Sequence, residues 1–325
     1  MNIAKILAVL LAIGAWCAPA RTAERDLSKD AINAAAFKPV SAGAVSPQII
    51  KAEVLLDRAQ ASPGVIDGKS GANFKKAIAA FAEMHGLPAA SDLNEDVWQA
   101  LTKDGEPVLV DYTIDAKDVA GPFIDKVPTD YSEMAKLKAL SYTGPAELLA
   151  ERFHMDARLL KELNPNVDLS KAGTAILVAN VKRDPIKAKI ARIDIDKTRD
   201  QVRALDADGK LIVAYPATVG SDETPSPSGS YKVKAITKNP AFTYDPEKNF
   251  KQGKNNRKLR IAPGPNNPVG TVFIALTKPT YGIHGTPDPE KIDKTGSHGC
   301  VRLTNWDAEQ LAQAVKKGTP AAFVE

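Results

Sequence analysis

From Ile186 onward the apolar residues recur at every second position, and no helical period separates one such run from the next. Ala191, Ile193 and Ile195 alternate with Arg192, Asp194 and Asp196. Val202, Ala204 and Leu205 lead into Asp206-Ala207-Asp208-Gly209, after which Leu211, Val213 and Tyr215 return. Period-two runs on either side of a polar, Gly-containing turn read as a hairpin. Tyr231, Val233 and Ala235 alternate with Lys232 and Lys234, and residues 272–276 form a continuous apolar run that predicts a strand buried on both faces. Strands without crossover helices argue against βαβ units, so this half of the chain is expected to be mainly β, an antiparallel sandwich or barrel-like domain.

Upstream the texture differs. At 325 residues and 44% hydrophobic content the chain is expected to hold two or three domains with modest separate cores. Residues 21–45 lack any period and read as a flexible tether. Ser46-Pro47 signals a helix start, Ile50, Val54 and Leu55 give it an apolar face, and Asp67-Gly68 marks a turn. Phe74, Ala77, Ile78, Phe81 and Met84 fall at helical spacing, Gly86 is placed to end that helix, and Val97-Trp98 lies on a third. Residues 103–140, broken by Pro107, Gly121-Pro122 and Pro128, read as an irregular linker with one strand near residues 108–114. Residues 141–181 predict two short helices between two short strands, with His154 between the helices in a structural role.

Residues 1–20 read as a secretory signal: Lys5 is their single charge, residues 6–15 are apolar, and Ala18-Pro19-Ala20 offers small residues for cleavage. A membrane span needs about 18 apolar residues or more, so export is expected, with no transmembrane segment after cleavage. Cys17 raises lipid attachment, which the bulky Trp16 before it disfavours. Cleavage leaves Cys300 alone and takes the net charge from +4 to +3 with the loss of Lys5, too slight a balance to argue for nucleic acid.

That lone thiol sits in Ser297-His298-Gly299-Cys300-Val301-Arg302, sixteen positions after His284 in Gly282-Ile283-His284-Gly285-Thr286. A histidine within hydrogen-bond reach of a cysteine raises its thiolate fraction and makes it a nucleophile. Spacing alone leaves both histidines open as the base, since His298 shares a strand face with Cys300 and His284 must arrive from another strand. Backbone N–H groups around Gly299 and Cys300 are candidates for receiving a developing oxyanion. Thr304-x-x-Asp307 reads as a capping box for a final helix, and the Pro- and Gly-rich residues 239–270, with a basic cluster at 251–260, as a long loop of the binding-lid kind.

The S-H-G-C-V-R core, the histidine upstream and the Pro263-Gly264-Pro265-Asn266-Asn267-Pro268 loop together resemble the YkuD-type catalytic domain of L,D-transpeptidases over residues 186–325. Residues 46–102 resemble a three-helix peptidoglycan-binding domain through Asp67-Gly68, Ala79-Ala80-Phe81, Gly86-Leu87-Pro88 and Val97-Trp98. Residues 141–181 are similar to a LysM module through Leu163-Asn164-Pro165 and the strand after Gly173. The first resemblance implies Cys300 as nucleophile, His284 as general base and acid, His298 and Ser297 shaping the site, Gly299 as oxyanion donor, and Arg302 holding the loop or a substrate carboxylate. It implies no cofactor and no metal. Its partners are peptidoglycan stem peptides and glycan strands, with a neighbouring stem, a lipoprotein amine or water as acceptor, in the periplasm or cell wall. Two other readings stand beside it: a metal site using His284, His298 and Cys300 with Asp288 or Asp293, and a non-catalytic wall-binding protein.

Overall fold

The computed structural model describes residues 26–39, 43–221, 224–248, 250–297 and 299–325; the signal read at 1–20 lies outside them. The helical part comprises α1 (Lys29–Asn33), α2 (Pro47–Arg58), α3 (Ala72–Met84) and α4 (Glu95–Leu101). Pro47 stands in the first turn of α2 and Asn94 caps α4, its side chain accepting the Val97 N–H. Where a tether was expected, Ser28 caps α1 and Ile32 is fully buried against the same core as α2.

β1 (Leu109–Thr113) follows, then the short helices α5 (Ala116–Val119) and α6 (Tyr131–Met134), then α7 (Pro145–Arg152), α8 (Ala157–Leu163) and β2 (Ala175–Ala179). β1 pairs antiparallel with β2, Leu109 opposite Ala179 and Thr113 opposite Ala175. The unit with α7 and α8 therefore opens at β1, not at residue 141, and residues 115–144 are an excursion within it. That excursion packs elsewhere: Met134 and Leu140 join Ile261 in a small core of their own.

The remainder is β3 (Arg192–Asp196), β4 (Gln201–Leu205), β5 (Leu211–Pro216), β6 (Thr218–Val219), β7 (Gly229–Lys238), β8 (Phe242–Tyr244), β9 (Leu259–Ile261), β10 (Val272–Leu276), β11 (Gly282–His284), β12 (Val301–Arg302), α9 (Asn305–Ala314) and β13 (Pro320–Val324). Nine strands form one sheet in the order β5-β4-β3-β13-β7-β10-β11-β12-β6. Its outermost strands, β5 and β6, are joined in sequence through Ala217 alone, so the sheet curls almost closed. The domain is mainly β and barrel-like as expected, but β3·β13 and β11·β12 are parallel. β10 alternates buried and half-buried positions rather than being covered on both faces. The long loop carries a two-stranded ribbon, β8 with β9, where no structure was expected.

The expected separate cores merge. One apolar cluster takes in α1 to α4, β1, α7, α8, β2 and also Leu205, Leu211 and Ala214 from the β4–β5 hairpin. A second fills the curled sheet beneath α9. Thr304 caps α9 by accepting the Asp307 N–H, but the Asp307 carboxylate, instead of closing the box, reaches Ser62 Oγ and Arg183. The helical part thus bonds directly to the β half, and α3 adds Asn73 Nδ2 to the Ile292 carbonyl at 3.2 Å and Lys76 to Asp293 at 2.8 Å.

Candidate active site

Register builds the site. In the parallel pair β11·β12, Ile283 faces Val301 and His284 faces Arg302, which sets Cys300 beside Gly282. Paired residues project to one side and the side-chain period is two, so Cys300, His284 and Arg302 share a face. On the other edge of β12, Val301 faces Val219, and the same register sets Gly220 beside Cys300. Cys300 is therefore flanked in register by two residues without side chains, and each is closely packed: a Cβ on Gly220 would lie 2.5 Å from the Ser226 nitrogen. A Cβ on Gly282 would lie 2.5 Å from the Phe273 ring, and that ring stacks on His284 at 5.8 Å between centroids.

His284 is buried, and its Nδ1 lies 2.7 Å from the Gly285 carbonyl. A carbonyl only accepts, so Nδ1 carries the hydrogen and Nε2 is left with its lone pair. Burial pushes the imidazole down to about 4, against the pull of the Gly285 carbonyl and with the help of the Arg302 charge. The ring is thus neutral at physiological pH, the form a base needs.

Cys300 is half-buried, its sulfur 3.6 Å from the Thr280 carbonyl. Burial pushes the thiol up, and the Gly282 backbone and the Arg302 charge oppose that rise. No hydrogen bond joins the sulfur to the His284 ring among the described residues; the two stand two positions apart along neighbouring strands, roughly 6–7 Å in the strand direction. The resting state is a neutral thiol beside a neutral imidazole. Alkylation of Cys300 by iodoacetamide, followed by intact mass, is expected to accelerate only above the ordinary thiol range; a midpoint near or below pH 7 would mean a preformed ion pair instead.

Ser297 is buried and ties the turn together: its Oγ accepts from Gly220 N–H at 2.9 Å and Gly299 N–H at 3.2 Å, and donates to the Cys300 carbonyl at 2.5 Å. The Gly299 N–H is thereby committed to Ser297 and not aimed at a substrate, a departure from the oxyanion role expected of it. Gly299 adopts φ +96°, and a Cβ there would press on Tyr281 at 3.0 Å, so only glycine fits the turn. His298 lies outside the described residues. Arg302 is half-buried and makes no hydrogen bond or ion pair among the described residues, although the Tyr131 phenol and Asp288 stand within electrostatic reach. No group of three or more His, Cys, Asp or Glu side chains gathers as a metal site among the described residues.

Sequence reasoning missed Tyr131, Gly220 and the Gly285 carbonyl as parts of the site. Tyr131 arrives from the 115–144 excursion and is fixed edge-on to Phe242 and Tyr244, at 5.7 and 5.3 Å, in the long loop. Gly282, two positions before His284, was in view but carried no signal without the strand register.

Residues 190–322 match the family model described as the YkuD L,D-transpeptidase catalytic domain. The Bacillus licheniformis protein named as the L,D-transpeptidase YkuD is 29% identical over 176 residues, which cover 53% of this chain and 89% of that protein. Escherichia coli K12 YbiS, also named as an L,D-transpeptidase, is 27% identical over 190 residues, 56% of this chain and 61% of that one. A solved Enterococcus faecium L,D-transpeptidase superposes with a TM-score of 0.32 at 20% identity, covering 46% of this chain; the match spans about half, 55%, of that chain. Among the described residues no helix is long and apolar enough to cross a membrane. Through residues 190–322 the chain carries a YkuD-type L,D-transpeptidase catalytic domain.

Proposed function

We propose that the protein acts outside the cytoplasm as a cysteine acyltransferase on peptidoglycan stem tetrapeptides. The observation that carries this is the shared face of Cys300 and His284, with Nδ1 held by the Gly285 carbonyl and Nε2 left open. In the first step Nε2 takes the thiol proton as sulfur attacks the carbonyl before the terminal D-alanine. The tetrahedral adduct collapses, the imidazolium returns the proton to the leaving amine, and a thioester remains on Cys300. An amine from a neighbouring stem then attacks that thioester and frees the thiol, giving a 3→3 crosslink. A lipoprotein amine would anchor that protein to the wall, and water would make the enzyme a carboxypeptidase.

Burial that keeps both groups neutral suits a base engaged during attack rather than a standing thiolate. Arg302, without a hydrogen-bond or ion-pair partner among the described residues, suits the carboxylate of D-alanine, since a guanidinium fork donates two parallel hydrogen bonds. Ser297 holds the turn that carries Cys300. Glycan binding by the α7–α8 unit is supported by a cavity of about 530 Å³ lined by Gly144, Asn164, Asn166 and Asp168, a size suited to small ligands.

Incubation with a disaccharide-tetrapeptide, read by mass, tests the proposal. The expected result is loss of D-alanine, with dimer if a second stem is the acceptor and without it if water is. Cys300→Ala is expected to lower that release by about 10³-fold or more. Wild-type protein that releases no D-alanine would overturn the reading, as would unchanged release by Cys300→Ala.

A further inference from the structure

Glu151 lies on α7, outside the catalytic sheet, yet a chain of contacts leads from it to His284. Its Oε1 accepts hydrogen bonds from the Tyr142 hydroxyl at 3.1 Å and from Asn305 Nδ2 at 2.9 Å. Asn305, the first residue of α9, also donates Nδ2 to the Pro265 carbonyl at 3.3 Å and accepts the Thr271 N–H on Oδ1 at 3.1 Å. That amide oxygen is pressed between two glycines: a Cβ on Gly270 or on Gly285 would lie 2.0 or 2.1 Å from it. Gly285 is the residue whose carbonyl fixes Nδ1 of His284 at 2.7 Å.

We infer that Glu151 is a positioning residue for His284, acting through Asn305 and the backbone of Gly285, so that the α7–α8 unit is part of the active site's support. This rests on His284 being the base. The amide of Asn305 has no room to shift toward either glycine, so its angle is set by what holds the Nδ2 end. Removing the Glu151 carboxyl leaves only the long Pro265 contact there, and a small displacement of the Gly285 carbonyl turns the imidazole.

The groups facing Glu151 are Tyr142 ahead of α7, Glu147 on α7 and Glu309 on α9. Thr143 and Asn266 donate to Glu147, and Thr271 donates to Glu309. Burial, with Glu147 and Glu309 adding to it against the bonds from Asn305 and Tyr142, pushes the Glu151 carboxyl up to about 7. Its carbonyl oxygen accepts both bonds while protonated, and glutamine reproduces that form. Ionisation strengthens the two bonds the carboxyl accepts and tightens the hold on Asn305.

The test compares wild type, Glu151→Gln and Glu151→Ala in D-alanine release from a disaccharide-tetrapeptide between pH 5.5 and 8.5, a range centred on about pH 7. The expected results are three. Wild-type kcat rises as pH passes through about 7, kcat of Glu151→Gln does not, and Glu151→Ala loses about tenfold or more in kcat with KM within about twofold. Superimposable pH profiles for wild type and Glu151→Gln overturn the inference even if Glu151→Ala fails to fold. So does a folded Glu151→Ala with wild-type kcat. Wild type that releases no D-alanine fails the proposed function itself, an outcome distinct from either.

Discussion

Arg183→Leu is expected to destabilise the protein by about 3–5 kcal/mol, because it strands two buried carboxylates at once. The guanidinium donates Nε to Asp57 at 3.0 Å, pairs with the same carboxylate through Nη2, and donates Nη1 to Asp307 at 2.8 Å and to Gln310 at 3.0 Å. Asp57 is on α2 and Asp307 on α9, and both are fully buried. His154, stacked 4.8 Å from Trp306, adds Nδ1 to Asp57 at 3.1 Å. Burial alone would raise Asp57, but Arg183 and His154 outweigh it and hold the carboxyl down at about 2. At Asp307 burial wins over the same guanidinium and the carboxyl is raised. One arginine thus neutralises a junction where the helical part, the α7–α8 unit and the catalytic sheet meet. The expected loss corresponds to a fall in Tm on the order of 10 °C by circular dichroism. Replacing Asp57 and Asp307 by leucine together with Arg183 should recover part of it, since no unpaired charge then remains. A loss below about 1 kcal/mol, or separate melting of the two halves, would show that this junction does not couple them.

That junction was invisible in the sequence, because its members are drawn from segments far apart in the chain and carry no local pattern. The hairpin of β4 and β5 was legible, since alternation survives wherever one face of a strand is covered. β1 was seen as a strand, but its partner β2 begins more than sixty residues later, and pairing across such a distance leaves no local trace; residues 115–144 therefore looked like a linker. The same holds for α1, whose single buried isoleucine gives no period to read. At the site, the cysteine and the two histidines stood out by residue type. What orders them came only with three dimensions: the β11·β12 register, the Gly285 carbonyl, the Ser297 hydroxyl that takes up the Gly299 N–H, and Tyr131 arriving from the excursion.

Two groups near the site are expected to pull stability in opposite directions over one pH window. His284 is held down at about 4 against an ordinary value near 6.5, so its contribution is complete above about pH 6.5 and is lost as pH falls toward 4. Glu151 is held up at about 7 against an ordinary 4.5, so its contribution is complete below about pH 4.5 and is lost as pH rises through 7. Each shift corresponds to about 3 kcal/mol, and between pH 4.5 and 6.5 the two slopes offset one another. Buried Glu53, also raised, adds to the Glu151 direction, so the parent curve alone does not separate them. The variant does. Glu151→Gln keeps an acceptor for Tyr142 and Asn305 but cannot ionise, and Glu53 and His284 are common to both proteins. Urea unfolding at a series of pH values should therefore show Glu151→Gln gaining on the parent by about 2–3 kcal/mol from pH 4.5 to 7.5. Parallel curves would mean that Glu151 titrates in the folded protein as it does in water, and that its enclosure by Glu147, Glu309 and Tyr142 has no energetic weight.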